Sequence, residues 1–304
     1  MLKYSDKDLM KILGVDAKTL KRFQQIRVET IKEAKKLSDN FKRRKKLKVL
    51  GISGSARDTL DMAQEKSNSE TLLVRCLDYF KKLGADTELI KLRDYDIKHC
   101  KACYSTANTH CHFYCSCYPK ETPTGDDMSN ILYDKILGSD ILIFATPVNN
   151  FKMSTLMAAF LDRCISLDGS LKPADPKFPK NRALNIKHMK FIERTADPAI
   201  PGSGMLRRFQ GKVAGVITTG HEEGAAMVIS SLFMTLNHFG MIFPPFGTLY
   251  AMASICQSTY EDKKMVLGDC YDPELKALAE NCVTTARSMK KVEVGLWSYD
   301  PKTN

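Results

Sequence analysis

The sequence predicts an α/β protein built on a doubly wound parallel sheet. Three observations carry this. Short apolar runs end in small residues: KVLGIS at 48–53, SDILIFATPV at 139–148 and KVAGVITTG at 212–220. Amphipathic segments of helical length lie between them. The two kinds of segment alternate along the chain, as a parallel sheet with crossover helices requires. Runs that are apolar on consecutive residues fit central strands covered on both faces. The 304 residues are enough for one large core, and no apolar run approaches the ~20 residues of a membrane-crossing helix.

Residues 1–46 read as a basic amphipathic extension. From Asp16 to about Lys46, Leu20, Phe23, Ile26, Ile31, Leu37 and Phe41 recur at helical spacing, with Asp16 or Thr19 placed to cap the helix. Residues 1–48 hold sixteen Lys and Arg against six acids, +10 of the chain's formal +11. The body, 47–304, is therefore near neutral, and the charge says little about its substrate. An apolar stripe on such a helix fits packing on the body or on a second subunit better than contact with nucleic acid. The polar N-terminus, MLKYSDKDLMKILGV, has no apolar leader. A cytoplasmic location follows as the expectation, and there clustered cysteines point to metal or redox chemistry rather than disulfides.

The elements then follow in order. KVLGIS is the first strand, and a polar loop leads to a helix at Ser69–Leu83. ADTELIKL (85–92) alternates as a second strand. A cysteine-rich insertion (99–126) precedes a helix at Asp127–Gly138 and the central strand 139–148. A helix at Ser154–Ser166 leads into a long loop, 167–210, rich in Pro, Gly and Lys, which suits a lid or a dimer arm. The strand 212–220, a helix at Glu222–Phe239, a strand around Met241–Leu249 and a helix at about Pro273–Lys290 complete the body.

Ligands of open α/β sheets sit beyond the carboxyl ends of the strands. Three loops there stand out. GISGSARDTLDMAQEKSNSETLL (51–73) lacks the glycine patterns of dinucleotide and triphosphate sites. It gathers hydroxyls, Asn68 and Arg57 where a helix begins, a combination suited to a phosphate. ATPVNNFKMSTLMAAFLDR (145–163) and TTGHEEGAA (218–226) offer backbone walls and amides to a planar heterocycle. Ordinary capped turns without a ligand account for each loop taken singly.

Taken together, SGSAR at 53–57, SNSETLL at 67–73, DDM at 126–128, the 145–163 run and TTGHEEG at 218–224 resemble the NADPH-dependent FMN reductase group of the flavodoxin-like superfamily, over about residues 47–290. The cysteine segment further resembles the iron–sulfur flavoproteins of that group. The resemblance implies a flavodoxin-like, five-stranded parallel sheet in the order 2-1-3-4-5, with helices on both faces. It implies that Ser53, Ser55, Arg57, Ser67, Asn68 and Ser69 bind the FMN phosphate. Pro147, Val148, Asn149, Asn150 and Phe151 would lie along the isoalloxazine ring, with Thr219, Gly220, His221 and Gly224 flanking it. A homodimer or homotetramer is implied too. Ala56 stands where the family's loop usually has proline, and Asn149 where an aromatic usually follows Pro-Val. These departures leave the cofactor expectation in place and the substrate open.

Hydride transfer from NAD(P)H to a flavin needs no side-chain acid or base, so no catalytic triad is expected. HCKACYSTANTHCHFYCSC (99–117) supplies Cys100, Cys103, Cys111, Cys115 and Cys117 as metal ligands. A 4Fe–4S cluster is the leading reading, because it would convert hydride chemistry into single-electron output. Thr106 occupies the place of the family's third cysteine, so the register differs. Structural zinc is the alternative, with His99, His110 or His112 available to complete a tetrahedron; a redox dithiol and plain packing are the others. Cys76, Cys164, Cys256, Cys270 and Cys282 read as buried small apolar residues. The expected function is an FMN-dependent NAD(P)H oxidoreductase passing electrons through the cluster, from a nicotinamide or protein donor to an acceptor the sequence leaves open. A zinc-stabilised flavin or quinone reductase, and a redox-sensing flavoprotein whose basic helix contacts nucleic acid, are the alternatives.

Overall fold

The computed structural model describes residues 4–62, 64–103, 110–220, 222–252 and 259–292. Five strands, β1 (Lys48–Ser53), β2 (Asp86–Lys91), β3 (Ile141–Asn149), β5 (Val213–Gly220) and β6 (Thr248–Met252), run parallel in the order β2-β1-β3-β5-β6. This is the expected flavodoxin-like order. A sixth strand, the two-residue β4 (Lys152–Met153), folds back antiparallel on β3 as a hairpin.

Strand alternation divides the core in two. Leu50, Ile52, Leu142, Phe144 and Val216 face α4 (Tyr133–Gly138), α5 (Thr155–Cys164) and α7 (Glu222–His238). Val49, Ile141, Ile143, Ala145 and Ile217 face α3 (Asn68–Lys82) and α9 (Asp272–Met289). Both faces of the central strands are covered, which is why their sequences read as unbroken apolar runs.

The N-terminal segment forms two helices, α1 (Asp6–Leu13) and α2 (Ala17–Arg43). Asp16 caps α2 by accepting from the Thr19 amide at 2.8 Å. Leu9, Leu13, Leu20 and Phe23 bury against Leu171, Phe191 and Ile192. The acids of α2 turn inward: Glu29 meets Lys172 at 2.8 Å and Glu33 clasps Arg208 at 2.7 and 3.2 Å. The helix thus uses Leu20, Phe23 and Ile26 and two of its three carboxylates on its own body, while Ile31, Leu37 and Phe41 line a cavity against it and most of its bases stay outside.

Four expectations change. The 167–210 stretch is not irregular throughout, because it contains α6 (Arg182–Thr195). Its buried side chains Asn185, His188, Met189, Ile192 and Thr195 keep helical spacing, but three are polar and dilute the apolar signal. β6 begins seven residues later than Met241, after Pro244 and Pro245, which lack ladder donors. Cys270 is exposed, whereas Cys76, Cys164 and Cys282 are buried; Cys256 lies outside the described residues. An additional helix, α8 (Thr259–Leu267), precedes α9.

Candidate functional site

The strand register aligns the three loops. Ser53 pairs with Ala145, Ala145 with Ile217, and Pro147 with Thr219, so the ends of β1, β3 and β5 lie side by side. The Gly54 amide donates to the Ala145 carbonyl at 2.7 Å, and Ser154 Oγ donates to the Gly54 carbonyl at 2.5 Å. The Ser154 amide donates to Thr146 Oγ1 at 3.1 Å. Ser154 also caps α5, accepting from the Met157 amide at 3.2 Å.

The first loop meets α3 at its N-terminus. Ser67 caps the helix, and its hydroxyl lies 3.1 Å from that of Ser69. Ser55 accepts from the Arg57 amide at 3.2 Å, while the Arg57 guanidinium turns to Asp61 at 3.2 Å. The Ser53 hydroxyl donates to Glu70 at 3.1 Å. Glu70, in the first turn of α3, is held by Arg93 at 2.5 and 3.2 Å and by Lys91 at 2.9 Å. Burial opposes ionisation of Glu70, but the hydrogen bonds of Arg93 and Lys91 outweigh it and hold its carboxyl below the ordinary range. Arg93 also donates to the Ser55 carbonyl at 3.3 Å. Sequence reasoning missed Arg93, Lys91 and Glu70. A basic pair at the carboxyl end of β2, beside β1, was the available signal.

The second and third loops close on each other. Asn149 pairs with Lys152, so Asn150 and Phe151 form a two-residue hairpin turn with φ of 49° and 64°. Phe151 is exposed in this left-handed conformation, which an aromatic side chain adopts only under local constraint. Val148 lies against the third loop. A Cβ on Gly220 would come within 2.6 Å of Val148 Cβ, and one on Gly224 within 2.4 Å of Val148 Cγ1. Glycine is what allows this approach. Thr219 and Gly220 are half-buried at the rim, and beside them the buried hydroxyl of Thr218 has no hydrogen-bond partner among the described residues. His221 lies outside the described residues. The three loops thus leave adjacent strand ends at one edge of the sheet, the first with hydroxyls at a helix N-terminus and the other two packed on each other through Val148 and the two glycines. The residues fit a flavin phosphate.

The cysteine segment packs on the α4–α5 face. Its anchor is a buried ion pair: the Arg163 guanidinium binds both carboxylate oxygens of Asp126, the second at 3.1 Å, and donates to the Lys98 carbonyl at 2.9 Å. Two stretches singled out in the sequence, DDM and LDR, meet here. The Tyr118 ring lies 4.5 Å from the same guanidinium.

Four of the five candidate thiols come together. Cys103 and Cys117 place their sulfurs 3.9 Å apart, Cys103 also bonds to Cys111, and Cys117 to Cys115. The bond with Cys111 is the main cause that pushes the Cys103 thiol up to about 11, and the bond with Cys117 that raises Cys115. Cys100 instead accepts from the Ala102 amide at 3.4 Å. Thr106 lies outside the described residues. Among the described residues no group of three or more His, Cys, Asp or Glu side chains is poised to hold a metal ion as it stands. The pKa values of Cys103, Cys115 and Cys117 are raised, so metal loading would have to displace their protons. The donor set itself is that of a thiolate centre.

His110 and His112 do not join the thiols. Both are buried and gather with His188 of α6, at ring-centroid distances of 4.9 Å (His110–His112) and 5.5 Å (His110–His188). Burial holds His110 down at about 4 and His112 at about 3, so both rings are neutral. No helix among the described residues is long and apolar enough to cross a membrane.

Comparison with known proteins agrees with the fold and the motifs. Residues 47–184 match the family model for NADPH-dependent FMN reductase. An iron–sulfur flavoprotein of Archaeoglobus fulgidus is 28% identical over 117 residues, covering 38% of this chain and 48% of the relative. The 8-demethyl-8-aminoriboflavin-5′-phosphate synthase of Streptomyces davaonensis is 23% identical over 192 residues, 63% of this chain and 60% of the relative. The chain thus spans about half the length of the curated relatives it matches. Among solved structures, RosB with bound 8-demethyl-8-formylriboflavin-5′-phosphate superposes with a TM-score of 0.58 at 18% identity, over 84% of this chain and 83% of that one.

Proposed function

We propose, for a chain whose residues 47–184 match the NADPH-dependent FMN reductase family, that it is an FMN-dependent NAD(P)H oxidoreductase. The observation that carries this is the alignment of the ends of β1, β3 and β5, which brings the hydroxyl-bearing N-terminus of α3 and the Val148–Gly220–Gly224 contact to one edge of the sheet. Ser55, Ser67, Asn68 and Ser69 would hold the phosphate with the α3 dipole, and Arg57 would swing from Asp61 to join them. Pro147–Phe151, Thr219, Gly220 and Gly224 would bound the ring. Bound FMN would supply hydride acceptance and one- or two-electron release. The chain's own residues bind, orient and exclude water.

The Arg93–Glu70–Lys91 group supports the phosphate side by fixing the loop through the Ser55 carbonyl and the Ser53 hydroxyl. A homodimer is part of this reading, and the exposed Met227, Phe233 and Met234 of α7 support it.

For the thiols we infer a second redox group, a 4Fe–4S cluster held by Cys103, Cys111, Cys115 and Cys117. Two curated relatives named iron–sulfur flavoprotein support it. One observation favours the zinc reading instead. A tetrahedral ion with ~2.3 Å bonds to sulfur sets its ligands about 3.8 Å apart, and Cys103 and Cys117 stand at 3.9 Å. A cubane places iron and sulfide between its thiolates and spreads them wider.

The experiment is an absorption spectrum with iron, sulfide and zinc analysis on anaerobically prepared full chain, followed by NADPH oxidation. Flavin bands with broad absorption beneath them and four irons support the cluster. Flavin bands with one zinc support the reductase reading, and a colourless chain that takes up no FMN overturns both.

A further inference from the structure

We propose that His110, His112 and His188 form a second metal site, an all-imidazole pocket for one divalent late first-row ion such as zinc, separate from the thiols. The local backbone sorts the donors. The Phe113 amide donates to the Leu171 carbonyl at 3.0 Å and the Leu171 amide to the Cys111 carbonyl at 3.3 Å, so 111–113 is extended beside Leu171. Side chains along an extended segment alternate. Cys111 reaches Cys103, whereas His110 and His112 lie on the other side with His188.

The ring nitrogens carry the argument. His110 Nδ1 lies 3.0 Å from the Cys111 carbonyl. A carbonyl only accepts, so Nδ1 bears the proton and Nε2 presents a bare lone pair. His112 Nδ1 is engaged with Ser116 Oγ at 2.7 Å. Among the described residues, the Nε2 atoms of both rings, and both nitrogens of His188, are buried with no hydrogen-bond partner. Four such atoms within one cluster far exceed what a folded interior tolerates, since each buried unpaired group costs about 1–3 kcal/mol. One ion bound by three lone pairs satisfies three of them together. Backbone or hydroxyl bonds at Nδ1 with Nε2 free are also the arrangement that orients metal-binding imidazoles.

Two of the three spacings agree. Imidazoles bonded to one ion at ~2.0–2.1 Å have centroids roughly 5–6 Å apart, against 4.9 and 5.5 Å for the two pairs that share His110. The three rings are not yet poised around an ion. His188 is stacked on Phe23 at 4.7 Å and makes no hydrogen bond, so a half-turn about Cβ–Cγ keeps the stack and moves a nitrogen inward. The cation nearby, Arg22, has Glu29 at 3.6 Å to offset it. Soft thiols and imidazoles both accept zinc, and an all-nitrogen set also suits copper, nickel and cobalt. An occupied site would pin the cysteine segment to α6 and, through Phe23, to α2.

The test uses the full chain carrying Cys103→Ser and Cys117→Ser, which removes thiol competition. It is chelated under reducing conditions, given one equivalent of zinc and desalted. The expected result is one zinc per chain, with X-ray absorption showing nitrogen at about 2.0–2.1 Å and no sulfur at about 2.3 Å. His188→Phe, which keeps the stack, should lower retained zinc at least tenfold and abolish the zinc-dependent rise in Tm. An ordered water in place of the ion predicts no retained zinc and an unchanged Tm, and that result overturns the proposal. So does a sulfur shell, or equal zinc in His188→Phe. Should the serine variant not fold, the wild-type spectrum decides: sulfur-only neighbours at two equivalents of zinc reject the site.

Discussion

Ser154 donates to the Gly54 carbonyl at 2.5 Å while accepting from the Met157 amide, so one hydroxyl ties the loop after β1 to the helix after β3. Ser154→Ala removes a cap and leaves a buried carbonyl unpaired. Stability should fall by about 1–3 kcal/mol, and FMN affinity by roughly tenfold, read by thermal melts and flavin fluorescence titration. Unchanged flavin affinity would separate this tie from the proposed flavin site.

Gly224 offers a sharper test of the Val148 contact. In an ordinary helix Gly→Ala gains up to about 1 kcal/mol. Here the added Cβ would lie 2.4 Å from Val148 Cγ1, and the short branched valine has little room to give. Gly224→Ala should reduce flavin occupancy several-fold with no gain in Tm, and pairing it with Val148→Ala should restore binding. A stabilised variant with full flavin content would show that this contact does not bound the ring.

The Arg163–Asp126 pair is fully buried. Asp126→Ala strands a guanidinium and should cost about 3–5 kcal/mol, measured by denaturant unfolding. Burial opposes the Asp126 carboxylate, but the Arg163 hydrogen bond and charge prevail and its folded-state pKa lies below the ordinary value. The contribution is therefore complete above the unfolded value near 3.9. It is lost as pH falls through the lower folded value. Below pH 4 the wild type should converge toward Asp126→Asn in stability; a constant gap there would contradict the sign.

Among the candidate thiols, Cys103 stands in the chain of sulfur contacts and Cys100 does not. Cys103→Ser should remove at least nine-tenths of the thiol-bound metal, whether iron or zinc, whereas Cys100→Ser should leave it within a factor of two. The reverse order by metal analysis would reassign the ligands to the sequence's C-x2-C pair.

Met234→Glu should shift the chain toward monomer in sedimentation at micromolar concentration, since Met234 is 71% exposed on α7. An unchanged sedimentation coefficient would remove α7 from the interface.

The sheet was legible because central parallel strands leave unbroken apolar runs, and β1, β3 and β5 are such runs. The three loops followed, since each leaves a strand end in order. α6 was not legible, because Asn185 and His188 sit on its buried face and prolines border it. The Glu70–Arg93 clasp joins residues 23 positions apart, and sequence spacing carries no trace of it. The sorting of thiols from histidines depends on the pairing with Leu171, a contact across 59 positions that no local pattern encodes.

That pairing makes the segment intolerant of a change in length. Substitution at any one position from His110 to Phe113 alters one side chain. Insertion or deletion of a single residue there would exchange the two faces, turning sulfur toward His188 and imidazole toward Cys103. Variation among close relatives should therefore preserve the count of residues between these donors even where the residues between them drift.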